Sequence, residues 1–294
     1  MREHYRMLRV VSILNQVIPR YGSRVITSNS NVTHQTLRTW SEFKTAWDGV
    51  HNFLVAGECV PFRFDFPPVE RVVDELRKDE MVRITPGTPD SRLRMEDCRQ
   101  VFRAMRLEEA LRGPFALAHF RLSRFDVDGG LLQGFKNRAL TPWQEALTRN
   151  GFTWDRCYPI IFISGKGCAT NYHMDFSHVL AWQIHGNKRF CGLLDPDRWA
   201  DESVRRNYKA GDFAKPPAVS DADAFCYSMQ PGDVLWNAFL TPHWVEAGQG
   251  IAMSINLSHG GLRLHGRLCR NEQEIVDFRN ANPDTAPKPI EGTY

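Results

Sequence analysis

Apolar residues recur along this chain at two periods, a helical one in the first half and an alternating one in the second. Over Trp40–Phe53 the residues Trp40, Phe43, Trp47 and Val50 fall three or four apart, with Ser41 and Glu42 near the start, which predicts a helix. Val69–Arg77 and Met95–Leu111 read the same way, separated by a turn-rich stretch at 85–90. Thr141–Asn150 opens on Thr-Pro, and proline fits the first turn of a helix because its missing N–H has no partner there. Val60–Phe66 alternates and is closed by Pro67-Pro68, so a strand is predicted there; Pro114–Leu122 is a second, followed by a turn at Asp126–Gly130.

From Tyr158 onward the texture is β. Pro159–Ser164, Val179–His185, Lys188–Leu194 and Ile251–Ser258 are short apolar runs bounded by turn residues. Gly186-Asn187 suits a two-residue hairpin between two of them, and Gln230-Pro231-Gly232-Asp233 is a turn feeding Val234–Asn237. Glu272–Asn280 predicts a last helix before a proline-rich tail. The layout is mainly β with flanking helices. It divides into a helical and mixed N-terminal region (1–112), a β domain (113–265) on which that region packs, and a C-terminal helix and tail (266–294).

Composition narrows the class. With 42% hydrophobic residues, 8 Trp and 18 Phe, the chain can fill a core, and a formal charge of +3 gives no support to a nucleic-acid partner. The seven cysteines (Cys59, Cys98, Cys157, Cys168, Cys191, Cys226 and Cys269) are scattered, odd in number and never spaced Cys-x-x-Cys, so they read as free thiols in a reducing compartment. No apolar run approaches the roughly 20 residues that span a bilayer. From His4 to Ser41 there is no acid, while Arg6, Arg9, Arg20, Arg24 and Arg38 are present. A basic helix around Met7–Ile18 in a cytoplasmic protein is the plain reading, and a mitochondrial transit peptide is the alternative.

The candidate chemistry lies in His173-Met174-Asp175 and in His243, within Thr241-Pro242-His243-Trp244. Two imidazoles and one carboxylate hold a metal on one face and leave the other open. On a strand His173 and Asp175 share a face while Met174 points away, and His243 must come from a distant strand, as in a barrel. Alone, the triplet is equally an ordinary hydrogen-bonded pair. Four neighbours add weight. Lys188 opens the strand after the hairpin and shares a face with Phe190 and Gly192; inside a barrel its ammonium needs an anionic partner. Thr170, three residues before His173, offers a hydroxyl to the same anion. Asn256 lies in the strand after His243, and the turn at Pro231–Val234 sets His243 near a rim. His185 is read as solvent-facing, His178 as a surface histidine with a rim position as the alternative, and Ser258–Gly261 as a loop. Arg263, Arg267 and Arg270 are read as a solvated face.

The run Thr170-Asn171-Tyr172-His173-Met174-Asp175, then Gly186-Asn187-Lys188-Arg189, then Pro231-Gly232-Asp233-Val234-Leu235 and His243, resembles the JmjC or cupin-like branch of the Fe(II)/2-oxoglutarate oxygenases. In motif pattern it is closest to the asparaginyl hydroxylase that modifies hypoxia-inducible factor. The resemblance covers about Gly113 to Ser258. It implies a double-stranded β-helix (jelly-roll or cupin) barrel in which His173, Asp175 and His243 bind Fe(II). Thr170 and Lys188 would hold the distal carboxylate of 2-oxoglutarate, with Asn256 as an accessory contact and O2 as the second co-substrate. Succinate and carbon dioxide would accompany hydroxylation of a small molecule or a protein side chain. Asp175 favours this over halogenation, whose enzymes lack the carboxylate. Thr241-Pro242 replaces a pair of bulky aromatics in that hydroxylase, so its substrate does not carry over. Relatives dimerise through C-terminal helices, of which only Glu272–Asn280 is available here for a homodimer. Two other readings stay open: a cupin-type metal-dependent hydrolase or isomerase without 2-oxoglutarate, and an inactive JmjC-like binding module.

Overall fold

Fifteen strands and their flanking helices are seen in a computed structural model that describes residues 35–86, 95–168, 170–209 and 219–283. The basic segment Met7–Ile18 and the tail beyond residue 283 lie outside the described residues. The first strands are β1 (Thr36–Leu37), β2 (Phe53–Val55), β3 (Arg83–Pro86), β4 (Phe115–His119) and β5 (Phe152–Thr153). Then come β6 (Arg156–Ser164), β7 (Thr170–His173), β8 (His178–His185), β9 (Lys188–Leu193) and β10 (Ala224–Met229). The last are β11 (Val234–Asn237), β12 (His243–Ala247), β13 (Ala252–Gly260), β14 (Arg263–Leu264) and β15 (Arg267–Leu268).

One sheet runs β1-β2-β11-β8-β13-β6-β4-β3 and a second runs β10-β9-β12-β7. Strands β6 to β13 therefore put four members in each sheet, in the order of a double-stranded β-helix. Alternation along each strand assigns the two faces. Leu54, Phe190, Phe225, Tyr227, Met229, Leu235 and Val245 meet between the sheets. Ile161, Ile163, Leu180, Trp236, Met253, Ile255 and Leu257 point the other way, into the core shared with the helices Trp40–Ala46, Val69–Leu76 and Thr141–Arg149. Phe43 and Trp143 from two of those helices are fully buried there, and Phe43 meets Trp236 edge-on at 5.0 Å. The protein is thus mainly β with flanking helices, and the barrel interior is a compartment separate from the helix-covered core.

The elements depart from the sequence expectations at several points. The first helix ends at Ala46, because Asp48-Gly49 turns the chain and Phe53 is taken up by β2, where it pairs with Trp236. Its N-cap is Thr39, whose hydroxyl accepts from Glu42 N–H while the Glu42 carboxylate accepts from Thr39 N–H. Met95–Leu111 is two helices, Met95–Ala104 and Leu107–Arg112. Val60–Phe66 forms no strand. Pro61, Pro67 and Pro68 cannot donate to a ladder, and the alternation instead lays Phe62, Phe64 and Phe66 against Trp182 and Phe135 at 4.9–5.3 Å. Ser258–Gly260 is the end of β13, not a loop. The expectation of seven free thiols is corrected too: Cys191 and Cys226 are direct partners across β9 and β10 and form a disulfide, while Cys59, Cys98, Cys157, Cys168 and Cys269 are free. Among the described residues no helix is long and apolar enough to cross a membrane.

The β8–β9 hairpin fixes the register of the strand that carries Lys188. Gly186 sits there at φ +63°, and a Cβ on it would overlap the carbonyl of Ile251. Gly186→Ala is therefore expected to destabilise the fold by about 1–3 kcal/mol in urea denaturation. A loss below roughly 0.5 kcal/mol would mean the turn accepts a side chain.

Candidate metal centre

His243, the first residue of β12, is flanked by two antiparallel partners: His173 on β7 and Gly192 on β9. One step along, Val245 lies between Thr170 and Phe190, and a further step pairs Ala247 with Lys188. Three residues of β7 thus oppose what two residues span on β12, a β-bulge. On a regular strand Thr170 and His173 would fall on opposite faces. The bulge lets residues three apart oppose His243 and Val245, which share one. Asp175 lies just beyond β7 and not on it, a correction to the strand expectation; Met174 is packed into the helix-side core, and its N–H donates to the Tyr208 hydroxyl. The N–H of Leu240 donates to the Asp175 carbonyl at 2.9 Å, tying that residue to the loop that leads into β12.

The three side chains converge. Asp175 lies 3.5 Å from His243 Nε2 and 3.8 Å from His173 Nε2, and one ligand atom from each residue falls within 4.8 Å of the others. Both rings are turned by their far nitrogens. His173 Nδ1 donates to Asn171 O at 2.8 Å and His243 Nδ1 to Thr241 O at 2.9 Å, which leaves both Nε2 lone pairs facing Asp175. Phe190 stacks on the His243 ring at 5.0 Å and 7°. Burial, helped by the neighbouring His173, holds the His243 pKa down at about 4, so this imidazole is neutral at physiological pH. Two imidazoles and a carboxylate, the rings pre-oriented through carbonyl acceptors, fit a divalent transition metal.

Deeper in the barrel stand the other sequence-predicted residues. Lys188 shares a face with Phe190 and Gly192, as alternation requires, and burial lowers its pKa to about 8. Among the described residues no carboxylate pairs with its ammonium. Asn256 on β13 pairs with Ile160 and Ala181, and its Oδ1 is buried without a hydrogen-bond partner. Thr170 is exposed on the edge strand β7, with no hydrogen bond to Lys188. The candidate metal donors, an orphaned amide oxygen and a lysine with no carboxylate partner among the described residues thus face the same interior, with Thr170 at its margin.

Two further clusters bring metal-type ligands together. His178, Cys269 and Glu272 are buried on the opposite face of β8, where His178 stacks on Trp236 at 5.3 Å. The expectation of a surface or rim histidine is corrected: His178 is 0% exposed. Cys191 and Cys226, near Glu246, spend their sulfurs on each other. Arg263, Arg267 and Arg270 are not merely solvated, since they pair with Asp155, Asp48 and Asp197. Sequence reasoning missed Asn52 and Asn237, two buried amides beside His243; Asn237 sits in the predicted run Val234–Asn237, but no spacing rule marks it.

No family model matches the sequence, and no curated protein matches it. Among solved structures it is similar to YcfD, a ribosomal oxygenase from Escherichia coli. The likeness is 13% identity and TM-score 0.48 for its complex with cobalt and succinic acid, and 14% and 0.44 for that with cobalt and 2-oxoglutarate. Each covers 88% of this chain and 63% of the other, so this chain spans less than two thirds of those proteins. At such identity and TM-score, strand order and donor set carry the reading.

Lys188 gives the interior a measurable pH signature. Its folded pKa, about 8, lies below the ordinary lysine value, so burying the charge costs stability in full below pH 8. That cost fades as pH rises toward the unfolded value of about 10.4. Lys188→Met is expected to stabilise the ligand-free protein by about 1–2 kcal/mol at pH 7, a gain that shrinks above pH 8. A pH-independent difference in denaturation midpoints would contradict a buried, unpaired ammonium.

Proposed function

We propose that the chain is an Fe(II)- and 2-oxoglutarate-dependent oxygenase of the JmjC or cupin-like type that hydroxylates a small molecule or a protein side chain. One observation carries this: a metal-type triad and an unpaired buried lysine occupy the same interior face. Gly192, beside His243, and Lys188 are four residues apart on β9, about 13 Å at the usual rise per residue. A five-carbon dicarboxylate and a lysine side chain together bridge such a gap. A hydrolase or isomerase built on the same triad has no use for the ammonium.

In this reading His173, Asp175 and His243 hold the iron. Bound iron would supply the redox chemistry, with O2 as oxidant giving one oxygen atom to the substrate and one to succinate as 2-oxoglutarate loses carbon dioxide. The protein's own part is positioning. His243, neutral above about pH 4, offers its lone pair without competition from a proton. Lys188 neutralises the distal carboxylate of the co-substrate, and the pairing raises its pKa back toward the ordinary lysine value. Asn256 turns its unsatisfied amide to the same ligand, Thr170 adds a hydroxyl from the margin, and the apolar surface of Phe190 and Val245 keeps water from the donors.

Purified protein with Fe(II), ascorbate and 2-oxoglutarate is expected to form succinate even without its substrate, at a slow uncoupled rate. His173→Ala should abolish this, and Lys188→Ala should raise the KM for 2-oxoglutarate at least tenfold while changing kcat less. Metal binding without any 2-oxoglutarate binding would favour the hydrolase or isomerase reading, and binding of neither would leave a binding module. With turnover established, a metabolite or peptide screen for a mass gain of one oxygen identifies the substrate.

A further inference from the structure

His243 is held from behind by two buried amides that belong to none of the expected site residues. Asn237, the last residue of β11, is 0% exposed, and Asn52, just before β2, is 2% exposed. Their side chains are hydrogen-bonded to each other at 3.2 Å, and the Asn237 amide lies 3.3 Å from His243 Nδ1. Asn52 is anchored in turn, since the Tyr227 hydroxyl donates to its carbonyl at 3.1 Å. Gly192, the cross-strand partner of His243, makes room for this pair: a Cβ there would overlap Asn52 Oδ1.

Hydrogen-bond arithmetic orients the amides. His243 Nδ1 lies 2.9 Å from the Thr241 carbonyl, which can only accept, so Nδ1 carries the proton and Nε2 the lone pair. A protonated Nδ1 cannot accept from an NH2 group. Asn237 therefore presents its oxygen to the ring. Turning both amides through 180° keeps the bond between them, with donor and acceptor exchanged.

We infer that Asn237, braced by Asn52 in the space left by Gly192, is a positioning residue for His243: its amide oxygen accepts the Nδ1 proton and keeps Nε2 aimed at the metal. Thr241 O and Asn237 O share this proton, so the ring is fixed both in tautomer and in rotation. The inference rests on the proposed reading of His173, Asp175 and His243 as a metal site.

The test is Co(II) binding to the full chain, read by titration and by the cobalt d–d absorption spectrum, with folding checked by circular dichroism. Outer-shell partners of metal-bound histidines typically contribute 10- to 100-fold in affinity, so Asn237→Leu should weaken Co(II) binding by about that factor and alter the spectrum. Asn237→Asp, whose carboxylate accepts the same proton, should bind Co(II) at least as tightly as the unaltered chain. Wild-type affinity and spectrum in Asn237→Leu, or an Asp variant as weak as the Leu variant, overturns the assignment. If Asn237→Leu does not fold, Gly192→Ala serves instead. It crowds Asn52 without touching a metal donor and should cost several-fold in affinity; unchanged binding there also overturns the role. If Asn237→Leu binds normally while His243→Ala does not, only the positioning role falls. If the unaltered chain binds no Co(II), the triad reading falls, and this role with it.

Discussion

The pairing of β12 with β7 on one side and β9 on the other is the constraint on which the site depends. It places His243 directly between His173 and Gly192, and the same ladder sets Ala247 beside Lys188. A slip of one residue would turn every side chain of β12 to the opposite face. Asp175 is tied into this arrangement through the N–H of Leu240, a residue at φ +49° whose side chain is buried in the core. An unfavoured backbone conformation of this kind costs on the order of 1 kcal/mol and persists only where its surroundings over-determine it. The three donors are thus not a local loop feature. They are held by the closure of the minor sheet, and the metal site shares the cooperativity of the barrel.

The barrel also separates two chemistries. Between the sheets an apolar cluster of Phe190, Phe225, Met229 and Leu235 surrounds a set of polar groups that includes the candidate metal donors, the two amides beside them, Asn256 and Lys188. An orphaned amide oxygen and an unpaired ammonium in one compartment are both unfavourable without a ligand and both useful with one. That coincidence on one face is why the interior reads as a binding chamber and not as a core with defects.

Much of this was legible in the residues, and the failures have physical causes. Lys188 and Asn256 fall on the interior face with His243 because strand alternation and the Gly186-Asn187 hairpin determine which residues share a face, whereas His173 and Asp175 reach His243 through the β7 bulge and the segment beyond it, which alternation does not encode. Strand β10 escaped notice, and the strand expected at His243 had no bounds, because Ala224–Met229 and His243–Ala247 lack a clean apolar–polar alternation. Val60–Phe66 erred in the opposite direction, since alternation reports a buried face and not the hydrogen-bond ladder that proline forbids. The Cys191–Cys226 bond and the Asn52–Asn237–His243 contacts depend on cross-strand register between segments far apart in sequence, which no spacing rule reaches. His178 was misplaced for the same reason, because its burial comes from Trp47 and Trp236 closing over it.

His178 and His243 show how one hydrogen bond separates a structural histidine from a ligand. Both are fully enclosed, both lie near a carboxylate, and burial pushes both pKa values down, to about 3 and about 4. Distance alone would nominate either for a metal: His178 Nε2 lies 3.9 Å from Glu272 Oε2, with Cys269 beside them, and both of those atoms lack partners. The far nitrogen decides. At His178 the N–H of Phe239 donates to Nδ1 at 3.2 Å, so the neutral ring carries its proton on Nε2, the atom that faces Glu272. A metal there would require an imidazolate or the loss of that backbone bond. At His243 the neighbour of Nδ1 is a carbonyl, the proton sits on the far side, and Nε2 is free. Two faces of one β-helix thus hold nearly the same residues in opposite tautomers. The candidate metal site lies on the face where a carbonyl, and not an amide N–H, stands behind the ring.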